Sequence, residues 1–194
     1  MPVRGEAKCQ GAVLVYKADK KTQTAWDDTA EIKDIYRVLR NRRADILDEI
    51  TQWRRGVNED NSFVAIYSHM FDGGMAPTER PNPSEVVTWG ELREALGKVH
   101  TLWLIGCESQ HAMAAWPTPK DSPVTGTMLV TSESQDWIEL VAAFGHEVSL
   151  DSIVFFDQME DHLRKLLPKH GGAIHYYDAA NKSAWRKFIA PPAV

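Results

Sequence analysis

Short apolar runs that alternate with helical patterns constrain the fold of this chain more than any other feature. Four such runs occupy residues 11–16, 62–68, 101–106 and 127–131, and residues 173–177 have the same pattern. Apolar runs of this length between turn-forming residues are typical of buried strands. Because they alternate with helical segments, the sequence predicts an α/β fold with a largely parallel sheet covered on both faces.

The segments between the runs carry the helical patterns. Apolar residues with helical spacing predict a helix that ends at Gly56, and residues 88–91 form a capping box at the start of another. Further helices are predicted over about residues 136–144 and from about residue 151 onward. Residues 71–87, which include three prolines, are expected to form a long loop, and loops of that length are often functional.

Residues 27–40 allow two interpretations. The apolar residues from Ile32 to Leu39 fit one face of a helix that begins near residue 27. Residues 36–40 alone fit a short edge strand equally well, and Asn41 would then cap the helix that follows. Both interpretations keep the α/β class.

Size and charge limit the classes of function. The chain has 194 residues, of which 43% are hydrophobic, so we expect a single domain over residues 1–194. Its 22 basic and 27 acidic side chains give a formal charge of −5. This charge argues against nucleic acid as the main partner, because phosphate binding needs a cationic face. No apolar run approaches the roughly 18 residues of a membrane helix, so we expect no membrane association.

Cysteine usage favours a reducing compartment. The chain contains Cys9 and Cys107, and two cysteines are too few to stabilise a chain of this length by disulfide bonds. The first residues lack the apolar segment of a secretion signal. We therefore expect a cytoplasmic protein with free thiols.

Two reactive side chains follow neighbouring strands of the predicted sheet. His69 comes directly after the run 62–68, and Cys107 directly after the run 101–106. Parallel strands joined by a right-handed crossover usually lie side by side, about 4.8 Å apart, so both residues are expected at the edge where open α/β sheets bind ligands. There the imidazole could take the thiol proton, and the thiolate could attack a carbonyl whose oxyanion is held by backbone amides.

Each residue alone has an ordinary structural interpretation. A cysteine after an apolar strand is most often a small buried hydrophobe, and a single histidine is usually only hydrogen-bonded. Cys107 and His111 have a spacing that could bind metal on a helix, but zinc needs three or four ligands and the sequence offers no second suitable pair, so we expect no metal. The matched placement of His69 and Cys107 favours a catalytic pair.

The residues around this pair resemble the caspase-like cysteine peptidases, a superfamily that includes caspases, metacaspases and the bacterial CHAT proteases. Its members carry Ser-His-Gly or a relative after one strand and a cysteine after the next. The corresponding segments here are residues 62–69, which end in Ser-His, and residues 102–109, which contain Gly-Cys. The likeness covers about residues 11–134. It implies a three-layer α/β/α sandwich with a largely parallel central sheet, and a thiol protease that needs no cofactor.

The resemblance also implies roles for individual residues. His69 would be the base and Cys107 the nucleophile, and the backbone amides of Met70 and Cys107 would form the oxyanion hole. Met70 stands where the family usually has glycine. Ile105 occupies a position that helps to recognise the substrate side chain in several members, as glutamine in caspases and aspartate in metacaspases. A caspase-type preference for aspartate is therefore not expected.

Two acidic residues are speculative substrate contacts. Asp19 and Glu133 could face a basic residue of the substrate, although such charges are more often simply solvated. Together with Ile105 they complete the set of candidate substrate-binding residues.

The sequence thus predicts a cysteine endopeptidase that cleaves a protein substrate through a Cys107/His69 pair and an acyl-enzyme. Regulation is expected from a protein partner or from homodimerisation. The alternative is a catalytically inactive caspase-like domain that binds a protein. A third hypothesis, a small ligand bound at the same edge, is weaker because no glycine-rich phosphate turn follows the first strand.

Overall fold

A computed structural model describes residues 10–16, 36–57, 62–116, 123–131, 173–178 and 186–189. The strands in these ranges are β1 (Gln10–Tyr16), β2 (Tyr36–Arg40), β3 (Ser62–Phe71), β4 (Gly74–Ala76), β5 (Val87–Thr88), β6 (Val99–Ile105), β7 (Val124–Thr131), β8 (Ala173–Asp178) and β9 (Arg186–Ile189). The α-helices are α1 (Arg43–Arg55) and α2 (Trp89–Leu96), and 3-10 helices cover Pro83–Glu85 and Ser109–Ala114.

The main sheet has the strand order β2-β1-β3-β6-β7-β8-β9. Neighbouring strands from β2 to β7 pair in parallel. The pairs β7–β8 and β8–β9 are antiparallel. The predicted α/β class is confirmed for the described residues, and four of the six neighbouring pairs along the main sheet are parallel.

Both faces of the central strands are buried, because adjacent residues that point to opposite faces are equally covered. In β3, for example, Val64, Ala65 and Ile66 are all 0% exposed. One face belongs to an apolar cluster with α1 and α2, to which Ile50 and Leu92 contribute from the two helices. Burial on both faces explains why these strands are continuous apolar runs and not alternating ones.

The ambiguous segment 27–40 contains a strand at its end. Residues 36–40 form β2 and pair in parallel with β1, so the strand interpretation is correct for them. The rest of the segment lies outside the described residues. The predicted cap Asn41 is wrong: the N-cap of α1 is Arg42, which makes no side-chain cap and instead donates from Nε to Asp45 Oδ2 at 2.6 Å. The predicted end of this helix at Gly56 is confirmed.

The capping box of α2 is confirmed. The Glu91 amide donates to Thr88 Oγ1 at 3.3 Å, and the Thr88 amide donates to Glu91 Oε2 at 3.0 Å. The backbone hydrogen bond from Thr88 is the main cause that lowers the pKa of Glu91. Glu91 also pairs with Arg43 of α1, whose Nε donates to the Val86 carbonyl at 3.1 Å. The first turns of the two helices are therefore linked.

The expected long loop 71–87 is wrong, because much of it is ordered secondary structure. β4 pairs antiparallel with β3, and β5 pairs antiparallel with β4. Gly74 permits this arrangement: its φ is 152°, and a Cβ there would lie 2.1 Å from the Val87 carbonyl oxygen. Only a residue without a side chain allows the two backbones to approach so closely.

The remaining elements differ from prediction mainly at their ends. β7 begins at Val124, three residues before the predicted start, and β9 has no counterpart among the predicted strands. The predicted strand 173–177 is confirmed as β8. The helices predicted over residues 136–144 and from residue 151 lie outside the described residues. None of the described helices is long and apolar enough to cross a membrane.

Candidate active site

His69 lies where β3 leaves the main sheet. β3 pairs in parallel with β1 as far as Ser68 and with β6 as far as Tyr67. His69 is the next residue and pairs antiparallel with Ala76 of β4. The strand therefore continues through His69 to Phe71, whereas the sequence predicted a strand that ends at Ser68. The histidine side chain is half-buried.

Cys107 lies two residues after the end of β6, and its side chain is exposed. The residue after it, Glu108, has a left-handed backbone with φ 59° and ψ 17°. A residue other than glycine rarely adopts this conformation, and such strained residues cluster at functional sites. The 3-10 helix Ser109–Ala114 follows directly. Cys107 is thus presented on a tight turn.

The register of β3 and β6 brings the carboxyl ends of the two strands together. Tyr67 and Ile105 are Cα partners at the end of this parallel pair. His69 and Cys107 each follow two residues later in their own segment. Each residue therefore follows the paired region of one of two adjacent strands, and such strands lie about 4.8 Å apart. The predicted adjacency of the two strands is confirmed.

Gly106 approaches β3 more closely than any other residue type could. A Cβ at this position would lie 2.4 Å from the Ser68 carbonyl oxygen and 2.7 Å from Met70 Cγ. Met70 is only 4% exposed, so its side chain packs against Gly106 and does not project into solvent. The Met70 side chain is therefore part of the apolar interior.

Tyr16 lies at the same edge of the sheet, at the end of β1. It is 0% exposed, and its hydroxyl donates to the Glu85 carbonyl at 2.5 Å. Burial is the main cause that raises the pKa of Tyr16 to about 12, with a further contribution from the Glu85 carboxylate. Tyr16 thus remains a neutral donor and attaches the 3-10 helix Pro83–Glu85 to the end of β1.

Of the three predicted substrate contacts, the structure describes only Ile105. Ile105 is the last residue of β6 and is 1% exposed, so its side chain is covered and lines no surface in this structure. Asp19 and Glu133 lie outside the described residues. In the described part of the chain, no group of three or more histidine, cysteine, aspartate or glutamate side chains is placed to hold a metal ion.

Two open clefts lie against α1 and α2, with volumes of about 390 and 500 Å³. Neither is lined by His69 or Cys107. Glu91 borders both clefts, so both lie around the linked first turns of the helices. The smaller is lined by Leu47, Thr51, Arg54, Arg55, Glu91, Glu94 and Ala95, and the larger by Arg43, Pro83, Ser84, Val86, Thr88 and Glu91.

Comparison with models of known protein families and with curated protein sequences gives no match for this chain. Its function must therefore be inferred from the carboxyl edge of the sheet. What that edge offers chemically is an imidazole on one strand and an exposed thiol after the next. This combination is suited to nucleophilic attack on a carbonyl group.

Sequence reasoning missed the supports of this edge. Ser68, Glu108 and Ser109 lie in the segments that resemble the family, but the motif does not predict the carbonyl groups that the two serines meet or the left-handed backbone of Glu108. Gly106 before Cys107 was the one signal available in the sequence, because glycine suits a tight exit from a strand. Tyr16 was recognised only as part of an apolar strand.

Proposed function

We propose that this protein is a caspase-like cysteine endopeptidase with the three-layer α/β/α architecture of that superfamily. Cys107 is its nucleophile and His69 its general base. The observation that supports this most is the parallel register of β3 and β6, which ends at the pair Tyr67 and Ile105, two residues before each candidate residue. The exposure of Cys107 adds to it, because a nucleophile must be reachable by its substrate.

The reaction requires His69 to accept and return a proton twice, once as the acyl-enzyme forms and once as it is hydrolysed. The imidazole accepts the proton of the Cys107 thiol, and the thiolate attacks the carbonyl carbon of a peptide bond. Backbone amides of Met70 and Cys107 donate to the oxyanion. The C–N bond then breaks, and the imidazolium returns its proton to the leaving amine. Water, deprotonated by His69, hydrolyses the acyl-enzyme and restores the thiol.

The substrate class and setting follow from the same proposal. The substrate is a protein segment in extended conformation, and activity is controlled by a protein partner or by homodimerisation. Cytoplasmic reducing conditions would keep Cys107 as a free thiol. No metal or other cofactor takes part in the steps above.

The test is active-site labelling of the full chain with a peptide acyloxymethyl ketone, read by mass spectrometry. We expect modification of Cys107 and not of Cys9. His69→Ala should abolish the labelling because the thiol loses its base. His111→Ala is the matched control, since His111 is an exposed histidine four residues from Cys107 and should leave labelling unchanged. Equal labelling of both cysteines, or its persistence in His69→Ala, would contradict the proposal.

A catalytically inactive caspase-like domain that binds a protein is the second candidate. The observation that favours it is Met70 at the position where the family usually has glycine. This function predicts that Cys107 does not react selectively with the ketone, although the chain folds and binds its partner. Cys107→Ala would then leave partner binding unchanged.

A further inference from the structure

Three serines are buried among the residues whose side chains the structure describes. Ser62, Ser68 and Ser109 are each at most 1% exposed. Ser68 immediately precedes His69, and Ser109 follows Cys107 by two residues. Ser62 lies at the opposite end of β3. Two of the three serines therefore lie within two residues of His69 or Cys107.

The Ser68 hydroxyl lies among three backbone carbonyls that surround His69. Its Oγ is 2.9 Å from the Tyr16 oxygen, 2.9 Å from the Ala76 oxygen and 3.2 Å from the oxygen of His69 itself. Tyr16 ends β1, and Ala76 is the residue of β4 that pairs with His69. Because one hydroxyl carries one proton, it donates to one of these acceptors at a time. Ser68 therefore connects the three segments that fix the backbone of His69.

Ser109 makes a comparable buried hydrogen bond in the segment that carries Cys107. Its Oγ donates to the Leu104 carbonyl at 2.8 Å. Leu104 lies in β6, three residues before Cys107, and Ser109 lies two residues after it. The hydrogen bond therefore closes the turn that contains Gly106, Cys107 and the left-handed Glu108. It holds that turn against the end of β6.

We propose that Ser68 and Ser109 are positioning residues, which hold His69 and Cys107 at the separation that proton transfer requires. This inference rests on the proposed function and deepens it. Neither hydroxyl touches the substrate. Each acts through the backbone of its neighbour, because a buried hydrogen bond fixes a segment more strictly than apolar packing alone.

Ser62 supplies the matched control within the same strand. It is as buried as Ser68, and its Oγ accepts from the His100 amide at 2.9 Å. This hydrogen bond joins the amino ends of β3 and β6, at the far end from the candidate pair. Loss of the Ser62 hydroxyl should therefore lower stability without altering the geometry at the carboxyl edge.

The experiment compares Ser68→Ala, Ser109→Ala and Ser62→Ala as full chains. It measures the maximal rate of Cys107 modification by the peptide ketone, the ketone concentration that gives half of that rate, and the urea midpoint. We expect the maximal rate to fall at least about tenfold in the first two variants, with the half-saturating concentration unchanged. Ser62→Ala should stay within about twofold of the original chain while its urea midpoint falls.

Variants that keep the hydroxyl complete the test. Ser68→Thr and Ser109→Thr should recover most of the rate lost in the alanine variants. The positioning roles are contradicted if the three alanine variants slow labelling equally, or if the loss appears only in the half-saturating concentration. If either Ser68→Ala or Ser109→Ala does not fold, the other variant is compared with Ser62→Ala. Absence of labelling in the original chain would instead contradict the proposed function itself.

Discussion

The segments that carry His69 and Cys107 are held in place by different means. His69 belongs to a ladder of paired strands, with β1 beside the residue before it and β4 opposite it. Cys107 belongs to no strand and lies between Gly106, which has no room for a Cβ, and the left-handed Glu108. The first position depends on many backbone contacts and the second on a few steric conditions. Single substitutions should therefore act more strongly on the cysteine side.

The strongest test of this difference is Gly106→Ala. The added Cβ would lie 2.4 Å from a backbone oxygen of Ser68, which cannot move away as a flexible side chain could. We expect a loss of about 3 kcal/mol in the free energy of unfolding, measured by urea denaturation, since overpacking of a core has effects of this size. Labelling of Cys107 should be abolished even where the variant is fully folded.

Gly90→Ala is the control for this substitution. Gly90 lies near the start of α2, and a Cβ there would meet no atom within 4 Å. Alanine favours the helix over glycine by up to about 1 kcal/mol, so this variant should be slightly more stable and should label normally. If Gly106→Ala behaved like Gly90→Ala, the steric account of the Cys107 turn would be wrong.

The matching test on the histidine side is Gly74→Ala. Here a Cβ would lie 2.1 Å from the Val87 oxygen, and φ is 152°. We expect a loss of about 2 kcal/mol in the free energy of unfolding, since a strained residue costs of that order. Because β5 has only two residues it can shift, and β1 still holds the end of β3.

Labelling of Cys107 in Gly74→Ala should therefore slow by only a few fold. The measurement is the labelling rate beside the urea midpoint, compared with those of Gly106→Ala. A complete loss of labelling in a folded Gly74→Ala chain would show that the ladder around His69 is no more tolerant than the turn of Cys107.

The sequence predicted the parts of this site that depend on local pattern. Continuous apolar runs indicated the central strands, because burial on both faces removes polar residues from them. The capping box at Thr88 and Glu91 located the start of α2, because its hydrogen bonds join neighbouring residues. The adjacency of β3 and β6 followed from the handedness of strand connections.

What the sequence could not predict depends on contacts between distant segments. β3 continues past His69 because β4 pairs with it, and β4 is held by the close approach of Gly74 to Val87. The Ser68 hydroxyl meets its acceptors only when the fold brings the carbonyls of Tyr16 and Ala76 next to it. No local pattern in the sequence indicates these contacts, which is why the sequence predicts a long loop over residues 71–87.

A smaller effect on the histidine side is expected from Tyr16→Phe. This substitution removes the hydroxyl that donates to Glu85 but keeps the ring and the carbonyl near Ser68. We expect a loss of about 1 kcal/mol in the free energy of unfolding near pH 8. The labelling rate of Cys107 should not change, because the backbone of His69 keeps its contacts.

The stability difference between the original chain and Tyr16→Phe should also depend on pH. Burial raises the pKa of Tyr16 to about 12, above its ordinary value of 10.0. The contribution of the neutral phenol is therefore complete below pH 10 and is lost as the pH rises through 12. Urea denaturation at several pH values should show the original chain losing its stability advantage over Tyr16→Phe within that interval. A difference that stayed constant would show that the pKa of Tyr16 is not raised in the folded chain.

The smallest and most discriminating effect is expected at Glu108. Its left-handed backbone costs about 1 kcal/mol in a residue with a side chain, so Glu108→Gly should raise the free energy of unfolding by about 0.5 kcal/mol once the flexibility of glycine is counted. The same flexibility should slow Cys107 labelling about threefold, because the turn is no longer confined to one conformation. Glu108→Ala removes the carboxylate but keeps the conformational constraint, and should match the original chain in both measurements. Equal labelling by the glycine and alanine variants would mean that strain in this turn does not position the cysteine.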